Sequence, residues 1–237
     1  MKKVLNVEEY ELKQVIEEAS LLSYLDCDEI VKCNDLYYHK RVVYIFLEFM
    51  EQSSLTKMIK GYKNEYSEEF CKYSLYKAAL GLKKMHENNV LHRDIKSDNI
   101  LHSLDGGEVK LADLGFACTL DEKKKNRKTK MGTPNWIAPE ICNNVQYGKS
   151  VDIWSFGCFA HELATGMPPF HKIRNRSRLF KEIINVDVPE IQGDRWSDDF
   201  KDFVKMCLKR DPEERLNINR VLSSRFLASL DDEQCRE

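Results

Sequence analysis

Residues 92–101 read "HRDIKSDNIL", and between positions 94 and 99 this stretch sets two carboxylates, a lysine and an amide. Asp94, Lys96, Asp98 and Asn99 are too densely polar for an ordinary strand or core helix. The side-chain types are instead those of a reaction centre: a carboxylate to take a proton, a cation to meet negative charge, and a hard amide oxygen that suits a cation such as magnesium. A single Asp-Arg pair on a loop is usually a solvated surface pair, so the stretch gains meaning only from what surrounds it.

The surroundings are those of an ordinary globular chain. At 237 residues, 42% hydrophobic and 32% charged, it is long enough for one large domain or two lobes around a substantial core. A net charge of −2 gives no global reason to expect nucleic-acid binding. The eight cysteines are scattered with no CxxC pair, which fits reduced thiols rather than a zinc site or a disulfide framework and points to a cytoplasmic or nuclear setting. No apolar run approaches the ~18 residues of a membrane span, and Glu8, Glu9 and Glu11 interrupt any signal-peptide core.

Working outward, Val15, Ala19, Leu22 and Leu25 recur at helical spacing and predict a helix over 8–25. "EIVKCNDLYYH" and "RVVYIFLEF" predict two strands, roughly 30–39 and 42–49, joined by a tight turn around Lys40. After 48–53, where a hinge is expected, the pattern turns helical. Ser67 is an N-cap candidate with Glu68 and Glu69 behind it, and Cys71, Leu75, Ala78, Leu82 and Met85 form a buried stripe. Residues 100–112 predict a small hairpin about Asp105-Gly106-Gly107. "SVDIWSFGCFAHELATG" predicts a buried helix ended by Gly166. Amphipathic helices follow to about Leu230.

Just past the hairpin, "ADLGF" supplies a second hard ligand, Asp113, before a glycine. Phosphoryl transfer needs little beyond positioning and charge neutralisation, and Asp94, Lys96, Asn99 and Asp113 offer a base, a cation and two metal-binding oxygens in suitable order. "HRDIKSDNIL", "KLADLGF", "GTPNWIAPE", "DIWSFG" and "DPEERLN" together resemble the successive signatures of eukaryotic protein kinases, from the first residues to about Leu227. "SDNIL", "GFAC" and "GTPNWIAPE" are most similar to the sterile-group kinases of PAK type. The kinases that phosphorylate kinases of the MAP pathway are the nearest alternative, and Lys96 with Thr133 is what Ser/Thr-specific members carry.

The resemblance implies an α+β, two-lobed kinase fold: a partial N-lobe over 1–50, with the end of its third strand, helix C and two strands, and a mainly helical C-lobe over 51–237. It implies ATP and magnesium, a protein substrate and an upstream activating kinase. By the same resemblance Asp94 is the catalytic base, Lys96 the phosphate-stabilising lysine, and Asn99 and Asp113 the magnesium ligands. Glu18 is the helix-C glutamate, Leu47 the gatekeeper, and Glu48 to Met50 the adenine-binding hinge. Glu140 and Arg215 form a structural pair, and Asp152 braces the catalytic loop. Thr129 takes the place of an activating phosphothreonine, whose phosphate would meet Arg93 and either Arg127 or Lys128. "DLG" in place of the commoner "DFG" keeps a large apolar anchor in Leu114.

One expected part is absent from the sequence. The first glycine is Gly61, beyond the hinge, so no glycine-rich phosphate loop lies in residues 1–60. Lys2, sixteen positions before Glu18, falls near the place of the third-strand lysine, with Lys3 as a substitute, so the chain is expected to start within that strand and to leave an open, apolar sheet edge. The first reading is therefore a Ser/Thr protein kinase whose sequence lacks its first strands. The alternatives are a catalytically weak kinase-like binding module and a small-molecule phosphotransferase, against which the peptide platform "GTPNWIAPE" speaks. Two basic runs, "EKKKNRKTK" (122–130) and "HKIRNRSR" (171–178), are expected to be solvated loop faces. Among the cysteines only Cys118, close after Asp113, stands where reactivity is worth watching.

Overall fold

The structure is a computed structural model and describes residues 2–4, 9–51, 53–61, 66–103, 107–120, 131–228 and 230. The chain opens with β1 (Lys2–Val4), α1 (Glu9–Leu25), β2 (Cys33–His39) and β3 (Val42–Leu47). Lys40 and Arg41 join β2 to β3 with φ of 49° and 62°, the left-handed turn whose twist matches a two-residue hairpin. The sheet order is β1-β3-β2, all antiparallel. The first residues pair with β3 as a short strand, where the end of a strand was expected beside the other two. Val43 and Ile45 are fully buried against Val15 of α1, which gives this part a small core of its own.

Both strands are shorter at their outer ends than the sequence pattern suggested. Ile30 and Val31 leave the sheet: Ile30 bridges Leu111 in parallel, and the Val31 amide donates to the Leu111 carbonyl at 2.8 Å. Ile30 is drawn into the main core, and both residues are buried. Past Leu47 the chain crosses to β4 (Ser53–Ser54) and α2 (Leu55–Gly61).

The remainder is mainly helical. α3 (Glu68–Glu87) starts as expected, with the Ser67 side chain accepting from the Phe70 amide, and all five residues of its predicted stripe are fully buried. β5 (Val90–Leu91), β6 (Ile100–His102), β7 (Val109–Leu111) and β8 (Cys118–Thr119) follow; β4-β6-β7 make one small sheet and β5-β8 a pair. The turn at 104–106 lies outside the described residues. α4 (Pro139–Cys142) leads to α5 (Ser150–Thr165), buried along all but its ends and capped by Gly166 at φ 81°. α6 (Arg176–Asn185) packs on α4, α7 (Asp198–Cys207) on α5, and α8 (Ile218–Leu222) on α3. The seven cysteines among the described residues are free thiols.

Candidate active site

Residues 92–99 run from β5 into a 3-10 turn at Ser97–Asn99, and the buried helix α5 fixes them from beneath. Asp152, fully buried in the first turn of α5, accepts from the His92 amide at 2.9 Å, the Arg93 amide at 2.7 Å and His86 Nε2 at 2.9 Å. Burial pushes the Asp152 carboxyl up, but the bond from His86 and the facing imidazoles outweigh it and hold it below its ordinary value. Arg93 takes φ 66°, which turns the chain so that Asp94 points away from α5.

Asp94 is itself buried and saturated with donors. Lys96 Nζ donates to Oδ2 at 2.7 Å, Asn99 Nδ2 to Oδ2 at 3.0 Å, and the Thr133 amide to Oδ1 at 2.9 Å. The Thr133 hydroxyl also donates to Oδ1, at 2.5 Å, and Lys96 Nζ donates to that hydroxyl at 2.8 Å. Burial raises the carboxyl, yet the bonds from Lys96 and Thr133 win and keep it ionised, below the usual carboxylate range. The ionised form of a carboxylate is the one a proton-accepting group requires.

Asn99 spends its amide nitrogen on Asp94, also donating to the main-chain oxygen at 2.8 Å, and its amide oxygen meets no donor among the described residues. Asp113 is exposed, takes φ 60°, and accepts from the Gly115 amide at 3.4 Å. A Cβ at Gly115 would stand 3.2 Å from Asp113 Oδ1 and 3.7 Å from Glu18 Oε2, so the buried Glu18 of α1 lies beside the same turn. The donor set fits magnesium, which takes one or two protein oxygens and completes its shell with water and phosphate. No cluster of three or more His, Cys, Asp or Glu side chains that could hold a metal occurs among the described residues.

The remaining candidates are placed as follows. Leu47 ends β3, half-buried against both core clusters. Glu48 is held on two sides: Oε1 accepts from the Lys32 amide at 2.6 Å and Oε2 from Lys110 Nζ at 2.7 Å. Lys110 is a buried lysine on β7, three residues before Asp113, and periodicity gave no signal of its partner. Met50 is buried. Arg93 donates through Nε to the Phe116 carbonyl at 2.6 Å and through Nη1 to the Tyr147 hydroxyl at 3.3 Å. Thr129, Arg127 and Lys128 lie outside the described residues. Lys2 holds the register position opposite Ile45, and Lys3 that opposite Tyr44.

Sequence reasoning missed one network. Glu162 of α5 accepts from the Ser97 hydroxyl at 2.7 Å, the Ser97 amide at 3.3 Å and Trp136 Nε1 at 3.2 Å, joining the catalytic-type loop to the "GTPNWIAPE" segment. Burial pushes its carboxyl up to about 7. The signal available was a glutamate inside an apolar helix.

The family model for the protein kinase domain matches residues 1–227. The chain belongs to the protein kinase domain family. This kinase domain is 36% identical over 218 residues to the serine/threonine-protein kinase pakB of Dictyostelium discoideum, covering 91% of the chain and 25% of that protein. It is 34% identical over 217 residues to pakA of the same organism, covering 91% of the chain and 18% of that protein. The kinase domain described here therefore spans a quarter or less of the length of these curated relatives. No helix among its described residues is long and apolar enough to cross a membrane.

Proposed function

We propose that this domain is a Ser/Thr protein kinase, transferring the γ-phosphoryl group of ATP to a protein hydroxyl. The observation that carries the proposal is the environment of Asp94: a buried, ionised carboxylate flanked by Lys96 and faced by the Thr133 platform. As the substrate oxygen attacks the γ-phosphorus and ADP departs, the hydroxyl proton passes to Asp94, and Lys96 meets the charge on the moving phosphoryl oxygens. The Thr133 hydroxyl on Oδ1 supports this, since a substrate hydroxyl would make the same kind of bond. Asn99 and Asp113 would hold magnesium, which would supply neutralisation of the phosphate charge.

Residues 1–50 are read as the nucleotide-side lobe and 51–237 as the catalytic and peptide-binding lobe. Lys2 is favoured over Lys3 as the lysine partner of Glu18. Glu48 to Met50 are read as the adenine hinge beside Leu47, steadied from below by Lys110. Activation by an upstream kinase at Thr129 remains part of the proposal.

The test is transfer of labelled phosphate from magnesium–ATP to a basic protein such as histone. Asp94→Asn should lower kcat by about 10²–10⁴-fold while leaving the melting temperature within a few degrees of the parent. Transfer by Asp94→Asn within a few-fold of the parent would remove the proposed base. No transfer by the native protein carrying this domain would favour the binding-module alternative.

A further inference from the structure

The basic run at 171–178 is exposed, as expected, but it rests on buried neighbours and runs into the start of α6. Its backbone is anchored: Ile173 donates to the Phe170 carbonyl at 2.9 Å, Phe170 and Ile173 pack against the main core, and Leu179 and Ile183 bury the first two turns of α6. Above these anchors Lys172, Arg174, Arg176 and Arg178 are exposed, four cations in seven positions of a chain whose net charge is −2. Lys172 and Arg174 have no acidic partner among the described residues, and the one ion pair of Arg178, to Glu182, is long at 3.7 Å. The Arg176 guanidinium lies 5.2 Å over the Phe180 ring, which fixes its direction.

The fold gains little from this charge, since its two contacts, Arg176 over Phe180 and the long Arg178–Glu182 pair, are exposed. α6 has no acidic residue in its first turn, and cations at that end oppose the helix dipole. The patch also adjoins the peptide platform: α6 packs against α4 and the 3-10 turn Pro134–Trp136, and Asn135 Nδ2 donates to the Pro169 carbonyl at 3.2 Å. Its position beside the platform, where a substrate peptide must lie, favours an acidic peptide segment over a lipid surface as its occupant.

We propose that the anchored basic strip Lys172–Arg178 docks an acidic segment of the protein substrate, holding its acceptor residue near the platform. The inference rests on the kinase reading and deepens it by naming a substrate class. Docking on the same rigid body as the platform raises the local concentration of the acceptor, so it lowers KM and leaves kcat unchanged.

The probe is a serine acceptor peptide joined by a short flexible linker to six glutamates, compared with the same peptide carrying six glutamines. With the native protein, the glutamate run should lower KM about tenfold, and the advantage should vanish in R174Q/R176Q/R178Q and in about 0.5 M salt. The triple variant should melt within about 4 °C of the parent, since the two contacts it removes are exposed and weak. Equal KM for the two peptides, or an advantage that survives the triple substitution, would overturn the proposal. Loss of docking together with a larger fall in melting point would do so too, because it would make the arginines structural. If neither peptide is phosphorylated, the kinase reading fails, and fluorescence anisotropy of the labelled glutamate peptide still decides docking. Phosphatidylserine vesicles that bind the native protein while the glutamate peptide does not would overturn the proposal in favour of a membrane.

Discussion

Replacing Arg215 by methionine is a direct test of what holds the platform to the helical core. The guanidinium has no exposed surface and the Glu140 carboxylate facing it has 5%. Arg215 Nη1 and Nη2 donate to Glu140 Oε1 and Oε2 at 2.8 and 3.1 Å. The same side chain serves the carbonyls of Lys209 and Ser150 at 2.8 Å and of Arg210 at 3.2 Å, and lies 5.2 Å over the Trp154 ring. Methionine keeps the length and the packing but removes every donor. Glu140 is then left with the Ser150 hydroxyl at 3.5 Å as its remaining donor among the described residues. Breaking a buried pair in this way costs about 3–5 kcal/mol, mostly the desolvation of the orphaned charge. At about 2–4 °C per kcal/mol for a domain of this size, the melting temperature should fall by roughly 10 °C. Calorimetric melts of Arg215→Met, Glu140→Gln and the double variant form the assay. The double variant removes the orphaned charge, so it should be more stable than the sum of the single losses predicts, by about 2 kcal/mol. Single losses under about 1 kcal/mol, or strict additivity, would refute the account of the pair.

Glu162 gives a pH signature. Its carboxyl is raised by burial to about 7 from 4.5, so the folded state holds a proton that the unfolded state releases. The resulting stability is complete below pH 4.5 and lost as pH rises through 7, amounting to about 3 kcal/mol. Urea titrations at pH 5 and pH 8 should show a smaller drop between the two for Glu162→Gln than for the parent; equal drops would contradict the assignment. Gly81→Ala sets a Cβ 2.7 Å from the Glu29 main-chain oxygen and 3.0 Å from Leu111 Cδ1. It should cost about 2 kcal/mol in a thermal melt, because backbone cannot yield as a flexible side chain can. Asp113→Asn should raise the magnesium concentration for half-maximal phosphate transfer by about tenfold or more, with an unchanged melting point.

Much of the fold was legible because its signals are local. Helical spacing of Val15, Ala19, Leu22 and Leu25 is a property of one element, as are the Ser67 cap and the glycine that ends α5. The order of Asp94, Lys96, Asn99 and Asp113 was legible for a similar reason, since short loops carry them at fixed intervals. The strand ends were less so. Ile30 and Val31 carry the residue types of a strand, and only their bonds to Leu111 show that they serve a different sheet.

The sequence by itself determined the family and the side chains that chemistry would need. Only the tertiary structure decided their electrostatic state and their supports. Whether Asp94 is ionised depends on Thr133, thirty-nine positions away, and on Lys96 winning against burial. The supports of the loop and hinge, Glu162 on Ser97 and Lys110 on Glu48, join residues more than sixty positions apart. That the exposed basic run at 171–178 rests on Ile173, Leu179 and Ile183 packed into the main core was likewise visible only in the folded chain. Periodicity and motif spacing report which residues are near along the chain. Charge, hydrogen bonding and burial act through space, so their balance is set only when the chain has closed on itself.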